Sequence, residues 1–192
     1  MNGSTCLARS GILQQPARLA GARRGTAVVG EGGARSRESS GLEARATAFL
    51  RPETRPRVLL AEDDSETRAI LATILREEGY EVVEAADGGE LVQLVEAAFW
   101  AGGRRRAAVS LVLSDVQMPE FSGIDVLWIL RATSWEVPVV LMGGWEDDPS
   151  RVEAGELGAN AFLRKPIDPE ALRRVVRAVL RGALPARHGA VV

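Results

Sequence analysis

The chain has 192 residues, 46% of them hydrophobic and 26% charged, with a formal net charge of −2, an ordinary composition for one globular domain with some chain left over. No apolar run reaches the roughly 18–20 residues that span a bilayer, and no short apolar block follows the early arginines as a secretion signal requires, so a cytoplasmic protein with no membrane partner is expected. The single cysteine, Cys6, has neither a disulfide partner nor a second thiolate for zinc, which sets redox and zinc chemistry aside.

The charge is split along the chain. Residues 1–57 hold ten arginines against four glutamates, a surplus of six positive charges, whereas residues 58–192 hold 14 basic and 22 acidic side chains, a surplus of eight negative ones. The first 55 residues are rich in Gly, Ala, Arg and Ser and show no sustained period of 2 or 3.6, so they read as a disordered leader, 1–55. A solvated tail is favoured there over a basic arm that touches nucleic acid or an acidic partner.

From Arg57 the pattern becomes regular. "RVLLA" is a short apolar run ending in "EDD", and "SETRAILATILREEGY" places Ile70, Ile74 and Leu75 at helical spacing before Gly79 closes the segment. "YEVVEA" repeats the strand signal. "DGGELVQLVEAAFW" repeats the helix, with Leu91, Leu94, Val95 and Ala98 on one face. The alternation continues through "AVSLVLSD", "GIDVLWILRAT", "VPVVLMGG", "DPSRVEAGELG", "AFLRK" and "DPEALRRVVRAVL". Five strand-helix pairs therefore fill residues 56–183, and strands written as continuous apolar runs imply a doubly wound α/β fold, a five-stranded parallel sheet covered on both faces. Residues 184–192 read as a short tail.

In such sheets the chemistry sits at the carboxyl ends of the strands. After the first strand come Glu62, Asp63 and Asp64; after the third, Asp115; after the fourth, Gly143 and Gly144; after the fifth, Lys165, the only lysine beside 23 arginines. If strands one, three and five are neighbours, these carboxylates converge. Two like charges 4 Å apart repel by about 4 kcal/mol at an effective dielectric near 20, so the cluster needs a cation. Lys165 supplies one charge, and a hard divalent ion suited to carboxylate, carbonyl and water oxygens, which is the ligand set of magnesium, supplies the rest.

"LLAEDD", "SDVQMPEFSG" and "FLRKPI", each at its own strand end, together resemble the receiver domain of bacterial two-component response regulators. The resemblance covers about residues 56 to 183. It implies a flavodoxin-like (βα)5 sheet of order 2-1-3-4-5 and transfer of a phosphoryl group from a histidine kinase or phosphotransfer protein to the Asp after strand three. By position that is Asp115, a carboxylate nucleophile forming an acyl phosphate. Counting back six and five from Arg68, as the family spacing suggests, makes Asp63 a direct magnesium ligand and places Glu62 behind it. Asp64 then falls outside the pair and caps the first helix. Gln117 offers its backbone carbonyl to the metal, Met118 and Pro119 shape the loop, and Gly123 permits a turn that a side chain would hinder.

The resemblance also explains the lone lysine. An ammonium approaches a phosphoryl group from several directions, whereas a planar guanidinium demands a fixed fork. The family's bond before the matching proline, here Lys165–Pro166, is typically cis, which only X-Pro bonds tolerate readily. One departure stands out: receivers carry Ser or Thr at the end of strand four, and aligning "PVVLMGGW" on Pro138 puts Gly143 there. The Gly144 N–H remains as a donor to phosphate, so the loss is one hydrogen bond to a charged group, about 1.5–3 kcal/mol. Phe162, at the aromatic switch position, then has less to follow.

The surfaces say less. Trp128 in "GIDVLWILRA" reads equally as a partner-binding patch and as a cover for the core edge. The last helix buries Leu172, Val175, Val176 and Val179 and turns Arg173, Arg174, Arg177 and Arg181 outward. The loop "FWAGGRRRAAV" is longer than its connection requires. Only eight residues follow Leu184, which points to a stand-alone receiver that docks to an unidentified downstream protein, with a homodimer as a further arrangement and nucleic acid disfavoured. Three readings compete: a phosphoaccepting module, a phosphorylation-independent scaffold on the same fold, and a magnesium-dependent phosphatase. The last expects a second Asp two residues beyond the nucleophile, where this chain has Gln117, so an enzyme is not expected.

Overall fold

A computed structural model describes residues 35–50, 55–101, 109–144, 149–183 and 190–191, all within one compact unit. Strand β1 (Arg57–Ala61) is followed by α2 (Ser65–Glu77), β2 (Glu81–Ala85), α3 (Gly88–Ala101), β3 (Leu111–Asp115), α4 (Gly123–Ala132), β4 (Val139–Gly143), α5 (Pro149–Glu156), β5 (Ala161–Arg164) and α6 (Pro169–Leu180), while α1 (Arg35–Ala46) precedes them. All neighbouring strands pair in parallel, in the order β2-β1-β3-β4-β5, and a two-residue β6 (Ala190–Val191) adds to the outer edge of β5. The five-stranded doubly wound sheet is thus as the sequence predicts. The short tail expected over 184–192 contributes this sixth strand, because the edge of β5 leaves backbone groups unpaired that any nearby extended segment can satisfy.

Successive strand residues face opposite sides, and the core divides accordingly. Val58 and Leu60 join Leu111, Leu113, Val140 and Met142 beneath α2 and α6, whereas Leu59 and Ala61 join Val112, Leu141 and Phe162 beneath the helices of the other face. Each large aliphatic side chain so buried stabilises the fold by roughly 1.5–3 kcal/mol. On α3, Leu91, Leu94, Val95 and Ala98 are buried as expected, and α6 buries Leu172, Val175, Val176 and Val179. Ile70 does not follow its expected placement: α2 turns Leu71, Ala72, Ile74 and Leu75 to the sheet and leaves Ile70 60% exposed. Ile74 and Leu75 lie on the buried stripe as expected, and Leu71 and Ala72 complete it in place of Ile70.

The helix ends are chemically marked. The Asp64 side chain accepts from the Thr67 N–H at 2.8 Å, which caps α2. At its other end Gly79, with φ +88°, lets the Gly79 and Tyr80 N–H groups return to Arg76 and Leu75. Ser122 and Asp125 form a reciprocal capping box on α4, and Asp168 followed by Pro169 starts α6.

The leader expectation needs correction over its described part. Residues 35–46 form α1 and Thr47–Leu50 a 3-10 turn, and Phe49 is buried in the sheet's core with Leu42 and Ala48 against it. Arg45 pairs with Glu90 at 2.6 Å. Arg57, fully buried at the start of β1, bonds Glu81 at 2.9 Å and lies 5.5 Å from the centre of the Phe49 ring. A few long-range contacts order this segment where its own polar sequence carries no amphipathic pattern. Residues 1–34 and 51–54 of the expected leader, and the arginines of the 102–108 loop, lie outside the described residues. Among the described residues no helix is long and apolar enough to cross a membrane.

Candidate functional site

The order β2-β1-β3-β4-β5 sets β1 and β3 side by side, so the residues leaving their carboxyl ends must meet. Asp115 is the last residue of β3, and its register partner on β4 is Met142. Glu62 and Asp63 follow β1 directly, and Glu62 keeps a tie to the sheet through its N–H to the Ala85 carbonyl at 3.3 Å. One oxygen of each of Glu62, Asp63 and Asp115 lies within 4.8 Å of the others. Glu62 and Asp115 are buried, at 1% and 4% exposure, whereas Asp63 is open to solvent.

Lys165 enters from the end of β5. Its backbone N–H bonds the Gly143 carbonyl at 2.7 Å, and the Lys165–Pro166 peptide is cis. The ammonium lies 2.9 Å from Glu62 Oε1 and 2.8 Å from Oε2, and it also donates to Asp115 Oδ2. The sequence-predicted residues 62, 63, 115 and 165 therefore occupy one notch. Burial pushes the Glu62 carboxyl above its ordinary pKa, against the pull of the Lys165 hydrogen bond. Burial works in the other direction on Lys165, but the hydrogen bonds it donates to Asp115 and Glu62, together with their charges, outweigh it and hold the ammonium above its usual range.

The notch has the chemistry of a divalent-cation site. Three carboxylates against one ammonium leave excess negative charge. Glu62 Oε2 is buried and sits 2.8 Å from the Lys165 ammonium as an ion pair. Carboxylate oxygens gathered within 4.8 Å of one another are the donor set that a hard ion takes. Gln117, with its side chain exposed, donates its backbone N–H to Asp115 Oδ1 at 3.1 Å, and the Ser114 hydroxyl donates to the Asp115 carbonyl at 2.9 Å. Gly123 is packed so closely that a Cβ there would strike the Asp115 carbonyl, while the Val116 carbonyl accepts its N–H.

At the end of β4, Gly144 is exposed and Gly143 is buried against Phe162. A Cβ built on Gly143 would sit 2.6 Å from Phe162 Cζ, so the aromatic ring already fills the space a side chain at this strand end would take. Sequence reasoning used Arg68 only to count spacing. In the structure its guanidinium donates to the Glu62 carbonyl at 2.6 Å; the available signal was a long cation in the first helical turns after the acidic pair.

The chain matches the family described as "Response regulator receiver domain" over residues 58–177. It is 34% identical over 125 residues to the transcriptional regulatory protein CpxR of Escherichia coli, an alignment that takes in 65% of this chain and 49% of that protein. It is 36% identical over 124 residues to the uncharacterized transcriptional regulatory protein YkoG of Bacillus subtilis, covering 65% of this chain and 50% of that one. The chain thus spans about half the length of the curated relatives it matches. Among solved structures, the chemotaxis response regulator CheY4 of Vibrio cholerae superposes with a TM-score of 0.56 at 29% identity, over 66% of this chain and 99% of that one. A CheY-like receiver domain protein of Methanospirillum hungatei gives 0.59 at 25% identity, over 67% and 96%.

Proposed function

Because the chain belongs to the response regulator receiver domain family, we propose that it is a phosphoacceptor module of two-component signalling, modified on Asp115 by a histidine kinase or phosphotransfer protein. The observation that carries this reading is the notch itself: a buried strand-end carboxylate in contact with the chain's only lysine and flanked by two further acids.

In the proposed reaction an Asp115 carboxylate oxygen attacks the phosphorus of a phosphohistidine. A P–O bond forms as the P–N bond breaks, and the electron pair of the latter stays on the departing imidazole, which takes up a proton. Lys165 holds Asp115 in place before transfer and neutralises a phosphoryl oxygen after it. Gly144, exposed beside the notch, presents a backbone N–H to the same oxygens. Magnesium, held by Asp63, Glu62, Asp115 and the Gln117 carbonyl, would supply charge neutralisation to the transferring group. Incubation of the full chain with acetyl phosphate and magnesium, followed by intact mass, tests the proposal. One added phosphoryl group is expected, and none in Asp115→Asn; modification of both proteins to equal extent would overturn it.

A second reading is favoured by Gly143. With Phe162 only 5% exposed and its ring 2.6 Å from where a Cβ on Gly143 would sit, the aromatic already occupies the space of a strand-end side chain. That packing supports a scaffold that docks its downstream protein without needing phosphate. Partner affinity measured with and without acetyl phosphate separates the readings: a dependence on phosphate favours the first, and equal affinity the second.

A further inference from the structure

Arg68 lies on α2, six residues after Glu62, and its side chain folds back over the turn that carries the acidic pair. Nη1 donates to the Glu62 carbonyl at 2.6 Å and also reaches the Asp63 carbonyl at 3.4 Å, while Nε lies 3.7 Å from Glu84 Oε2. Glu84, on β2, is itself held by Arg76 Nη2 at 2.7 Å, and Arg76 extends to the Val82 carbonyl. The side chain of Arg68 is 18% exposed and that of Glu84 27%, so this strut is partly shielded from water and from screening by salt.

We propose that Arg68 is a positioning residue for the acidic notch: braced by Glu84, its guanidinium holds the Glu62–Asp63 backbone so that both carboxylates face Asp115. The inference rests on reading the notch as a divalent-cation site, and it goes beyond that reading by adding a residue that touches neither ion nor phosphoryl group. The physical need is clear from the distances. Three carboxylate oxygens within 4.8 Å of one another repel, and two of them, on Glu62 and Asp63, sit on the turn just past the last residue of β1, tied to the neighbouring strand by the Glu62 N–H to the Ala85 carbonyl. Nη1 alone reaches both successive carbonyls, which leaves Nε to face Glu84, so the planar guanidinium joins the turn to its brace where the point charge of lysine does not. Groups that orient metal ligands from behind typically contribute 10–100-fold to metal affinity.

Calorimetric titration of the full chain with magnesium chloride tests the proposal, with circular dichroism and thermal melts run alongside. Arg68→Met is expected to raise the Kd for magnesium by about 10-fold or more, Arg68→Lys to recover part of that loss, and Glu84→Gln to weaken binding in the same direction by less. A purely structural role would lower the melting temperature and leave the Kd unchanged, so a Kd for Arg68→Met within twofold of wild type overturns the inference. If Arg68→Met does not fold, Arg68→Lys and Glu84→Gln decide: weaker binding in both supports the strut, and wild-type affinity in both removes it. A wild-type chain that binds no magnesium defeats the cation-site reading together with this inference, whereas tight wild-type binding with unaffected variants defeats the inference alone.

Discussion

Adding one methyl group at Gly143 is expected to destabilise the domain, and the structure gives both the sign and the size. The new Cβ would lie 2.6 Å from Phe162 Cζ, 3.2 Å from Cε1 and 3.5 Å from Val116 Cγ2. Carbon atoms pack best at about 3.5–4.0 Å, so the ring must retreat by roughly 1 Å. Phe162 is only 5% exposed and packed in the core, so that retreat disturbs a filled interior at a cost of about 1–3 kcal/mol. Opposing it, alanine in a strand gains about 0.5–1 kcal/mol over glycine in backbone entropy. The net effect of Gly143→Ala is a loss of about 1–2 kcal/mol in urea denaturation. In a Phe162→Leu background, where no Cζ exists, the same methyl group should be neutral or stabilising by a few tenths of a kcal/mol. A double-mutant cycle over the four proteins then reports a coupling of about 1–2 kcal/mol. A coupling below about 0.5 kcal/mol would show that the ring is not what keeps residue 143 a glycine, and would withdraw the support this packing lends to phosphate-independent docking.

Phe49→Ala should cost about 3 kcal/mol, because Phe49 is buried and covers the guanidinium of Arg57; chemical denaturation reads it, and an unchanged midpoint would mean that α1 and its turn do not hold to the core. Lys165→Met should lower stability at pH 7 by about 2 kcal/mol, less than the 3–5 typical of a buried pair, because the lysine side chain is 30% exposed; urea titration checks it. The Lys165 pKa is raised on folding, so its contribution is complete below the ordinary lysine pKa of about 10.4 and fades as pH climbs through the folded value. Alkaline destabilisation should therefore be steeper in wild type than in Lys165→Met. Glu120 adopts φ +66° in the loop after Asp115, and Glu120→Gly should gain about 1 kcal/mol by removing that strain; a loss instead would show that the Glu120 carboxylate, close to Gly89, contributes more than the strain costs.

Much of this protein is legible one segment at a time. Apolar runs such as "RVLLA" and "LVLSD" announce buried parallel strands because a sheet covered on both faces favours apolar side chains on both and confines polar ones to the strand ends. The acids and the lysine at strand ends are legible for the same reason: polar groups appear where the apolar runs stop. Asp64 capping α2 follows from local chemistry alone, since the donor it satisfies is three residues away.

What the linear order does not contain is which contacts between distant segments prevail. On α2 Ile70 faces solvent while Leu71, Ala72, Ile74 and Leu75 meet the sheet, a choice among apolar residues that spacing alone leaves open. The polar segment 35–50 is held by Phe49 and Leu42 in the sheet's core cluster and by the Arg45–Glu90 pair, which reach across to residues far along the chain. The departure at Gly143 could be named from position, but its cause lies in the Phe162 ring on an adjacent strand. Local sequence determines backbone preference and burial pattern because those energies are decided within a few residues. Close approach, shared cations and edge pairing are decided only when the chain brings remote groups to the same place.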